Sequence, residues 1–393
     1  MSLEPTTNFK DSNGVDLGKK LISKDYLMSV YPSIAQEIGK TPELWTWGQN
    51  NYAQLGINDG VNKSTPVTTF AGGTNWKQVS VGGPINFLFA AGIKTDGTLW
   101  TWGNGGFGAL GNASNTNRST PVTTFAGGTN WKQVYCSVNH VVAIKTDGTL
   151  WLWGNGANGE LGHNKATSSN TPVTTFAGGN NWRQASGPAA STGAIKTDGT
   201  LWVWGFNANG QLGINFGGFT SAAVKSTPVT TFAGGTNWKE VKGSYALKSD
   251  GSFWRWYSPP GVHSTPIIMF SGNNWKTISS RYAGIKTDGT LWVWGANDQG
   301  QLGTNDTIYR STPVTTFAGG TNWKQVSIMF NFTTAIKTDG TLWSWGNNYY
   351  GQLGTNDATL RLTPVTTFAG GTNWKQVSSS YKFSAAIQSS DFI

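Results

Sequence analysis

The chain has 393 residues, a mass of 42.1 kDa and a formal net charge of +9, yet only 12% of its residues are charged. Aromatic residues make up 13% of the chain and include 21 tryptophans, which excludes an intrinsically disordered protein. One cysteine, Cys136, and three histidines exclude an intrachain disulfide and a cysteine-based zinc site, so we expect no metal and no cofactor.

No apolar run reaches the length of a membrane-spanning helix, so no membrane insertion is expected. Residues 1–10 lack the apolar core of a signal peptide, which predicts a protein made and kept in a cytoplasm.

Residues 1–42 differ from the rest of the chain, because they contain no tryptophan and no repeated segment. Ser23 is a suitable cap for a short helix that ends near Tyr31, before Pro32. The segment has five acidic and five basic residues, so the whole net charge lies on the remainder. We interpret residues 1–42 as a partly helical anchoring arm and residues 43–393 as the main domain.

The main domain is a sevenfold repeat. The pattern Leu-Trp-x-Trp-Gly recurs from residue 44 onward, once as the degenerate Phe253-Trp254-Arg255-Trp256-Tyr257, and Asn-Trp-(Lys/Arg) also occurs seven times. The repeat length is near 51 residues, and one repeat is shortened to 38. All 21 tryptophans belong to these two patterns, so tryptophan is part of the framework.

Each repeat predicts four short strands. In one copy they are residues 76–79, 91–94, 99–103 and 120–125, with an Asp-Gly hairpin turn between the second and third. Pro121 opens the fourth strand and suits an edge position. Four strands repeated seven times predict an all-β, seven-bladed propeller.

The two ends of the repeat array are complementary. The last copy stops after its second strand, and the first copy begins at its third strand, residues 44–48. We therefore expect the N- and C-terminal strands to share one blade and close the ring, which removes the open edge of a linear array.

The segment Ala-Ile-Lys-Thr-Asp-Gly-Thr-Leu-Trp-x-Trp-Gly, with Gly-Gln-Leu-Gly at residues 300–303, resembles the repeat of the regulator of chromosome condensation family. That family forms seven-bladed propellers and includes a nucleotide-exchange factor on chromatin, a plant ultraviolet photoreceptor and a bacterial inhibitor of β-lactamases, so fold does not fix function. Only His140 matches the Gly-x-x-His motif that the family places before the second strand. The exchange factor acts through an inserted wedge, whereas the inserts here are only about four residues near Pro84 and about five near Gly217. No tryptophan lies in the stretch before the second strand, where the photoreceptor has its tryptophan clusters. The resemblance therefore implies neither exchange activity nor light sensing.

A second resemblance concerns the arm. Residues 16–28 are similar to the start of structural proteins from large marine bacteriophages, in which similar arms precede such propellers.

Catalytic and nucleotide-binding motifs are weak. Residues 103–108 and 154–159 fit Gly-x-Gly-x-x-Gly, but no helix is predicted after them to hold a pyrophosphate. Six aspartates belong to hairpin turns, and no carboxylate pair or Ser–His–Asp set is evident. The sequence therefore predicts no enzyme and no catalytic residue.

Thirteen lysines and arginines recur at two repeat positions, one after the Asn-Trp tryptophan and one before the Asp-Gly turn. A basic ring could attract nucleic acid or another polyanion. We favour copying of one solvated lysine, because no arginine-rich or aromatic-interleaved patch accompanies it, so nucleic acid is not an expected partner.

The two faces of the propeller differ. Fifteen residues from Thr65 to Val79 recur unchanged in four repeats, whereas the turn between the first and second strands and the loop between the third and fourth vary in nearly every copy. Because strands alternate in direction, the variable stretches meet on one face, the variable face, and the conserved turns meet on the other, the uniform face.

The variable face is rich in aromatic residues, which suit a recognition surface, although rings packed between blades would explain them too. The predicted binding residues are Tyr52, Tyr135, Tyr245, Tyr257, Tyr282, Tyr309, Phe330, Phe332, Tyr349, Tyr350 and Tyr381.

These features favour a non-enzymatic binding protein. The first hypothesis is a phage virion structural or appendage protein, assembled in the host cytoplasm, that joins the virion through residues 1–42. Its variable face would recognise a host-surface protein or a glycan. The alternative is a cytoplasmic regulator or protein inhibitor that uses the same face, and a hydrolase in the central mouth has least support.

Overall fold

The computed structural model describes residues 42–70, 75–187, 190–208, 210–215, 224–256, 265–279 and 282–389. The predicted arm at residues 1–42 therefore lies outside the described residues except for Pro42, which begins the first strand. The described residues form seven four-stranded antiparallel sheets, and a short 3-10 turn spans Gly106–Gly108.

The strands, in chain order, are β1 Pro42–Gly48, β2 Lys63–Thr68, β3 Trp76–Gly82, β4 Phe89–Lys94, β5 Leu99–Gly103, β6 Arg118–Thr123, β7 Trp131–Cys136, β8 His140–Lys145, β9 Leu150–Gly154, β10 Ser169–Thr174, β11 Trp182–Ser186, β12 Ser191–Lys196, β13 Leu201–Phe206, β14 Val224–Thr230, β15 Trp238–Lys242, β16 Tyr245–Lys248, β17 Phe253–Arg255, β18 Ile267–Ile268, β19 Trp275–Ile278, β20 Ala283–Lys286, β21 Leu291–Gly295, β22 Arg310–Thr315, β23 Trp323–Met329, β24 Phe332–Lys337, β25 Leu342–Gly346, β26 Arg361–Thr366, β27 Trp374–Ser379 and β28 Phe383–Ser389.

We number the blades in chain order. Blade 1 is β3–β6, blade 2 is β7–β10, blade 3 is β11–β14, blade 4 is β15–β18, blade 5 is β19–β22 and blade 6 is β23–β26; blade 7 combines β27, β28, β1 and β2. The prediction of a seven-bladed propeller is confirmed.

Blade 1 shows how the repeat builds a sheet. Its strands follow the order β3-β4-β5-β6, and the Asp96 carboxylate accepts the Thr98 amide at 2.9 Å and the Thr98 hydroxyl at 2.7 Å in the predicted hairpin turn. The outermost strand begins and ends two residues earlier than predicted, because the register shifts between Thr101 and Gly103 and carries the pairing to Arg118.

Ring closure occurs as predicted. β1 pairs with β28 over seven positions, from Pro42 opposite Ser389 to Gly48 opposite Phe383. β28 also pairs with β27, so the two ends of the described chain share blade 7. The closed ring leaves no blade without a neighbour on either side.

The core lies between blades. Between blades 1 and 2, for example, Ile93 and Leu99 belong to one buried cluster with Trp131 and Trp153. Trp131 and Trp153, both on blade 2, meet edge to face, with ring centroids 6.2 Å apart. Each blade therefore buries apolar side chains on both faces.

In six of the seven repeats, the second tryptophan of the Leu-Trp-x-Trp-Gly pattern connects its blade to the preceding loop. The Trp102 indole donates to the Gln54 carbonyl at 2.9 Å, and a β-carbon on Gly56 would lie only 2.8 Å from the ring. Only glycine fits this close contact, which explains the second glycine of Gly-Gln-Leu-Gly. The same indole bond recurs at Trp47, Trp153, Trp204, Trp256 and Trp345.

Blade 4 is the irregular blade. Its outer strands are only three and two residues long, and it is the shortened repeat. The buried indole nitrogen of Trp294 on blade 5 has no hydrogen-bond partner among the described residues. The shortened loop of blade 4 lacks the Gly-Gln-Leu-Gly segment that supplies this carbonyl elsewhere.

Glutamine bridges join the innermost strands. The Gln78 amide donates to the Val134 carbonyl at 2.9 Å and accepts the Val134 amide at 3.0 Å, so it replaces a missing strand partner. Gln376 makes the same bridge to Val79 across the ring closure, at 3.1 and 2.9 Å. Gln184 and Gln325 bridge to Val241 and Val377.

Three blades depart from this pattern, because blade 5 has Thr277 at the glutamine position and blades 2 and 4 form no complete bridge. Glu240 accepts the Ile278 amide at 3.3 Å, but a carboxylate has no proton to give to the carbonyl. Gln133 holds the glutamine position of blade 2, yet its buried oxygen has no partner among the described residues.

The bridges predict unequal effects of one substitution. Gln376→Ala leaves a buried amide and a carbonyl of Val79 unpaired, and we expect it to lower the free energy of unfolding by about 2 kcal/mol. Gln133→Ala removes the same side chain without a bridge and should cost clearly less. Equilibrium urea unfolding of both variants measures the difference, and equal losses would show that the bridges do not stabilise the ring.

Candidate functional site

Five side chains on blades 6 and 7 form a connected group, which we call the aromatic patch: Phe330, Tyr349, Tyr350, Tyr381 and Lys382. The rings of Phe330 and Tyr381 stack with centroids 4.2 Å apart, and those of Tyr349 and Tyr350 meet edge to face at 4.8 Å. The Lys382 ammonium lies 4.8 Å from the Tyr350 ring centroid, and Lys382 directly follows Tyr381 in the chain, so the two pairs are neighbours.

The patch is accessible at one end, at Tyr349. Tyr349 is 75% exposed and contacts the half-buried ring of Tyr350, while Phe330 and Tyr381 are also half-buried. Half-buried rings have a fixed position before any partner arrives, which lowers the entropy cost of binding.

The loop that carries the two tyrosines is held by its own polar side chains. The side-chain oxygen of Asn348 accepts the Leu353 backbone amide at 2.9 Å, and the side-chain nitrogen of Asn348 donates to the Asp357 carboxylate at 3.0 Å. Gln352 accepts the Tyr350 amide at 2.8 Å. These bonds fix the backbone on both sides of the loop tip, so the tip residues can change without loss of the loop.

An ion pair closes the base of the same loop. The Asp357 carboxylate lies 2.6 Å from the Arg361 guanidinium. Burial opposes ionisation of Asp357, but hydrogen bonds from Thr359 and Thr355 and the charge of Arg361 together lower its pKa. Asp59 with Lys63 on blade 7 and Asp306 with Arg310 on blade 5 repeat the arrangement.

Two other predicted binding residues lie in the same kind of loop. The Tyr52 amide donates to Gln54 at 2.9 Å, as the Tyr350 amide does to Gln352, and Tyr52 is half-buried. Tyr309 on blade 5 is 66% exposed.

The remaining predicted residues lie elsewhere. Tyr245 and Tyr282 pack against the apolar cluster of blades 4 and 5, and Phe332 is fully buried. Tyr135 lines the central cavity, and burial raises its pKa to about 12. Tyr257 lies outside the described residues. The four described residues of this set, Tyr135, Tyr245, Tyr282 and Phe332, therefore do not belong to the aromatic patch.

Some exposed apolar residues on the variable face were not among the predicted binding residues. Phe87 and Phe107 contact each other on blade 1 at 5.6 Å and are 40% and 48% exposed, and Ile308 beside Tyr309 is 61% exposed. All three lie in the variable stretches, so sequence contrast between repeats is the signal that would have found them.

The central cavity has a volume of about 300 Å³ and is lined by the innermost strands of six blades. Glu240 is the one carboxylate among its lining residues, and Lys242 lies 3.8 Å from it. The described part of the chain has no group of three His, Cys, Asp or Glu side chains able to hold a metal ion. His140 is fully buried beside Thr192, and burial lowers its pKa to about 3.

Among the residues that the structure describes, no helix is long and apolar enough to cross a membrane.

The lysines before the Asp-Gly turns have a structural role beyond the solvated copies expected from sequence. The Lys145 ammonium lies 4.8 and 4.7 Å from the ring centroids of Trp131 and Trp151, and five other blades repeat this arrangement. Those lysines are Lys94, Lys196, Lys248, Lys286 and Lys337. Cation–π contacts therefore occupy six of these cations.

Comparison with known proteins agrees with this architecture. Residues 43–88, 96–144, 147–195, 288–336 and 339–387 match the model of the regulator of chromosome condensation (RCC1) repeat. The chain is 32% identical over 176 residues to the ultraviolet-B receptor UVR8 of Arabidopsis thaliana, covering 44% of this chain and 39% of the receptor. It is 28% identical over 219 residues to the probable E3 ubiquitin-protein ligase HERC4 of Homo sapiens, covering 54% of this chain and 19% of the ligase.

Solved structures share the fold at low identity. Human WBSCR16 superposes with a TM-score of 0.75 at 16% identity, covering 90% of this chain and all of that one. Yeast RCC1 (Prp20), solved bound to Kap60, gives 0.73 at 18% identity and covers 89% of each chain.

Glu160 occupies the glutamine position of a Gly-Gln-Leu-Gly segment and is fully buried. Burial raises its pKa, although the Asn158 amide donates to it at 2.8 Å. A raised pKa means that Glu160 destabilises the fold increasingly as pH rises above its ordinary value of 4.5.

Glu160→Gln should therefore raise the free energy of unfolding at pH 8 by about 1 kcal/mol. The gain should shrink below pH 4.5, where wild-type Glu160 is protonated in both states. Thermal unfolding of both proteins at several pH values measures this, and a gain that does not change with pH would contradict the assignment.

Proposed function

We propose, because this chain belongs to the regulator of chromosome condensation repeat family, that it is a non-enzymatic binding protein whose aromatic patch contacts a protein partner. The observation that carries the proposal is the patch itself, in which the strongly exposed Tyr349 packs on Tyr350 beside Lys382 and the stacked pair Phe330 and Tyr381. Aromatic residues beside a cation are typical of energetically important contacts in protein interfaces.

The comparisons support binding in general terms. The yeast relative was solved with a bound protein, and the Arabidopsis relative is a receptor. The chain spans less than half the length of the curated relatives it matches, so their activities are not carried over.

The finer hypothesis is a virion appendage that joins its particle through residues 1–42 and meets a host-surface protein or glycan with the variable face. It rests only on the resemblance to phage structural proteins inferred from the sequence of residues 16–28. Detection of the chain in purified virions by mass spectrometry would test it, and a cytoplasmic regulator that uses the same patch is the alternative.

The chain provides its own replacement loop for a test of the patch. Residues 297–306 of blade 5 read Asn-Asp-Gln-Gly-Gln-Leu-Gly-Thr-Asn-Asp, and residues 348–357 differ only by Tyr349 and Tyr350. The blade 5 loop makes the same bonds, since Asn297 accepts the Leu302 amide at 2.9 Å. The double variant Tyr349→Asp/Tyr350→Gln should therefore keep the fold.

A photoreactive residue in place of Tyr349 should cross-link the partner in extracts of the organism that carries the gene. We expect Tyr349→Asp/Tyr350→Gln to weaken binding of that purified partner by about thirtyfold, the loss that follows from removal of an anchor worth about 2 kcal/mol.

The matched control adds Asp298→Tyr/Gln299→Tyr to this variant and moves the tyrosine pair to blade 5. Its composition of aromatic residues is that of the wild type, but the pair no longer adjoins Tyr381 and Lys382, so binding should not return. Unchanged affinity in the first variant, or full recovery in the control, would contradict the proposal.

A further inference from the structure

Six phenylalanines occupy the same repeat position and are strongly exposed. Each is the second residue after the end of the outermost strand of its blade, and between 62% and 70% of each side chain is exposed. They are Phe70, Phe125, Phe176, Phe232, Phe317 and Phe368. In the shortened repeat, Phe270 instead packs against Phe253 and Trp294.

The fold does not need these rings where they are. The Phe125 amide donates to the Gly111 carbonyl at 2.8 Å, a backbone bond that any residue except proline would make. Among the described residues, none of the six rings takes part in an aromatic or cation–π contact. A single exposed ring needs no explanation, but six at the same repeat position can act together on a flat surface.

Seven cations lie on the same face, nearer the axis. Each is the second residue of an innermost strand, and all are exposed: Lys77, Lys132, Arg183, Lys239, Lys276, Lys324 and Lys375. In the described part of the chain none of the seven forms an ion pair. Arg183 and Lys239 donate to backbone carbonyls instead.

The topology makes these two sets concentric. Thr123, two residues before Phe125, pairs with Trp100 beside the Asp-Gly turn, so the phenylalanines belong to the uniform face. The Ala-Gly-Gly turn then leads inward to Trp131 and Lys132 of the next blade. Because the repeats are related by rotation about the central axis, equivalent residues lie at equal height. The phenylalanines thus form an outer ring and the cations an inner ring in roughly parallel planes.

We propose that the uniform face binds an anionic lipid surface, with the inner cations at the headgroups and the outer phenylalanines inserted at the interface. A lipid surface is flat and presents the same chemistry everywhere, so it can meet the equivalent side chains of every blade in the same way. Basic residues together with aromatic residues are the pairing that peripheral membrane proteins use.

Other occupants fit less well. A second copy placed face to face would bring together two sets of seven cations, and the six turn aspartates of each face are already hydrogen-bonded within their own turns. A single-stranded nucleic acid needs aromatic side chains interleaved with the cations along its path. Here the Ala-Gly-Gly turns separate the outer phenylalanines from the inner cations. With the uniform face on the lipid, the aromatic patch would point away from it toward a partner.

The test is flotation of the full chain with vesicles of phosphatidylcholine alone or mixed with phosphatidylglycerol. We expect binding to the mixed vesicles, weaker binding at high salt and little binding to phosphatidylcholine. Lys77→Gln/Lys132→Gln should lower the partition coefficient about thirtyfold, at a factor of about five for each cation near an anionic surface.

The matched control is Arg118→Gln/Lys165→Gln, which removes the same charge from exposed positions on the variable face and should have little effect. Phe125→Ser/Phe176→Ser/Phe317→Ser should lower partitioning about tenfold or more even at low salt. Ile308→Ser/Tyr309→Ser/Tyr349→Ser removes comparably exposed apolar side chains from the other face and should not. Melting temperatures establish that the variants are folded.

Four results would overturn the proposal. They are no binding to mixed vesicles, equal losses from the variants of both faces, binding to a single-stranded oligonucleotide in place of vesicles, and phenylalanine-dependent self-association in analytical ultracentrifugation.

Discussion

The structure depends on hydrogen bonds between side chains and backbone that connect neighbouring blades at the centre of the ring. The sheets are separate ladders, so the innermost edge of each blade exposes amides and carbonyls that water would otherwise have to satisfy. Gln78 and its equivalents satisfy both groups of the next blade with one side chain. Serines two residues further along the same strand add a second bond, as when the Ser80 hydroxyl accepts the Cys136 amide at 2.8 Å. Four of the seven blade interfaces carry the complete bridge, and one of these four, from Gln376 to Val79, spans the ring closure.

Hydrogen bonds of the same kind distinguish the residues that hold each loop from the residues that vary at its tip. In six blades an indole of the next blade bonds the loop above a closely packed glycine, and in the loop of blade 6 Asn348 and Gln352 hold the backbone on both sides of the tip. A loop fixed in this way tolerates change at two or three positions, which is where Tyr349 and Tyr350 replace the Asp298 and Gln299 of blade 5. Variation collects at these positions because nothing in the fold depends on them, and a recognition surface can therefore differ from blade to blade.

The sequence predicted the repeat, the blade number and the shared blade, because hairpin turns, tryptophan spacing and the incomplete end repeats are local signals. It could not separate Tyr349 from Tyr282, since both are tyrosines in variable stretches and only the packing of adjacent blades decides which is covered. It also did not show that Lys145 lies between two indoles, or that Phe125 points to solvent, because a repeated apolar residue after a strand resembles a core position. Contacts between blades determine these outcomes, and they link residues about 50 positions apart.

Equilibrium unfolding of a chain that ends at Lys382 tests ring closure most directly. This truncation removes β28 and leaves β1 and β27 without their shared partner, whereas a chain that ends at Ser389 keeps every strand. We expect the longer chain to unfold in one cooperative transition and the shorter one to lose that transition and its steep dependence on denaturant. A chain ending at Lys382 that unfolds with the same midpoint and slope would contradict the account.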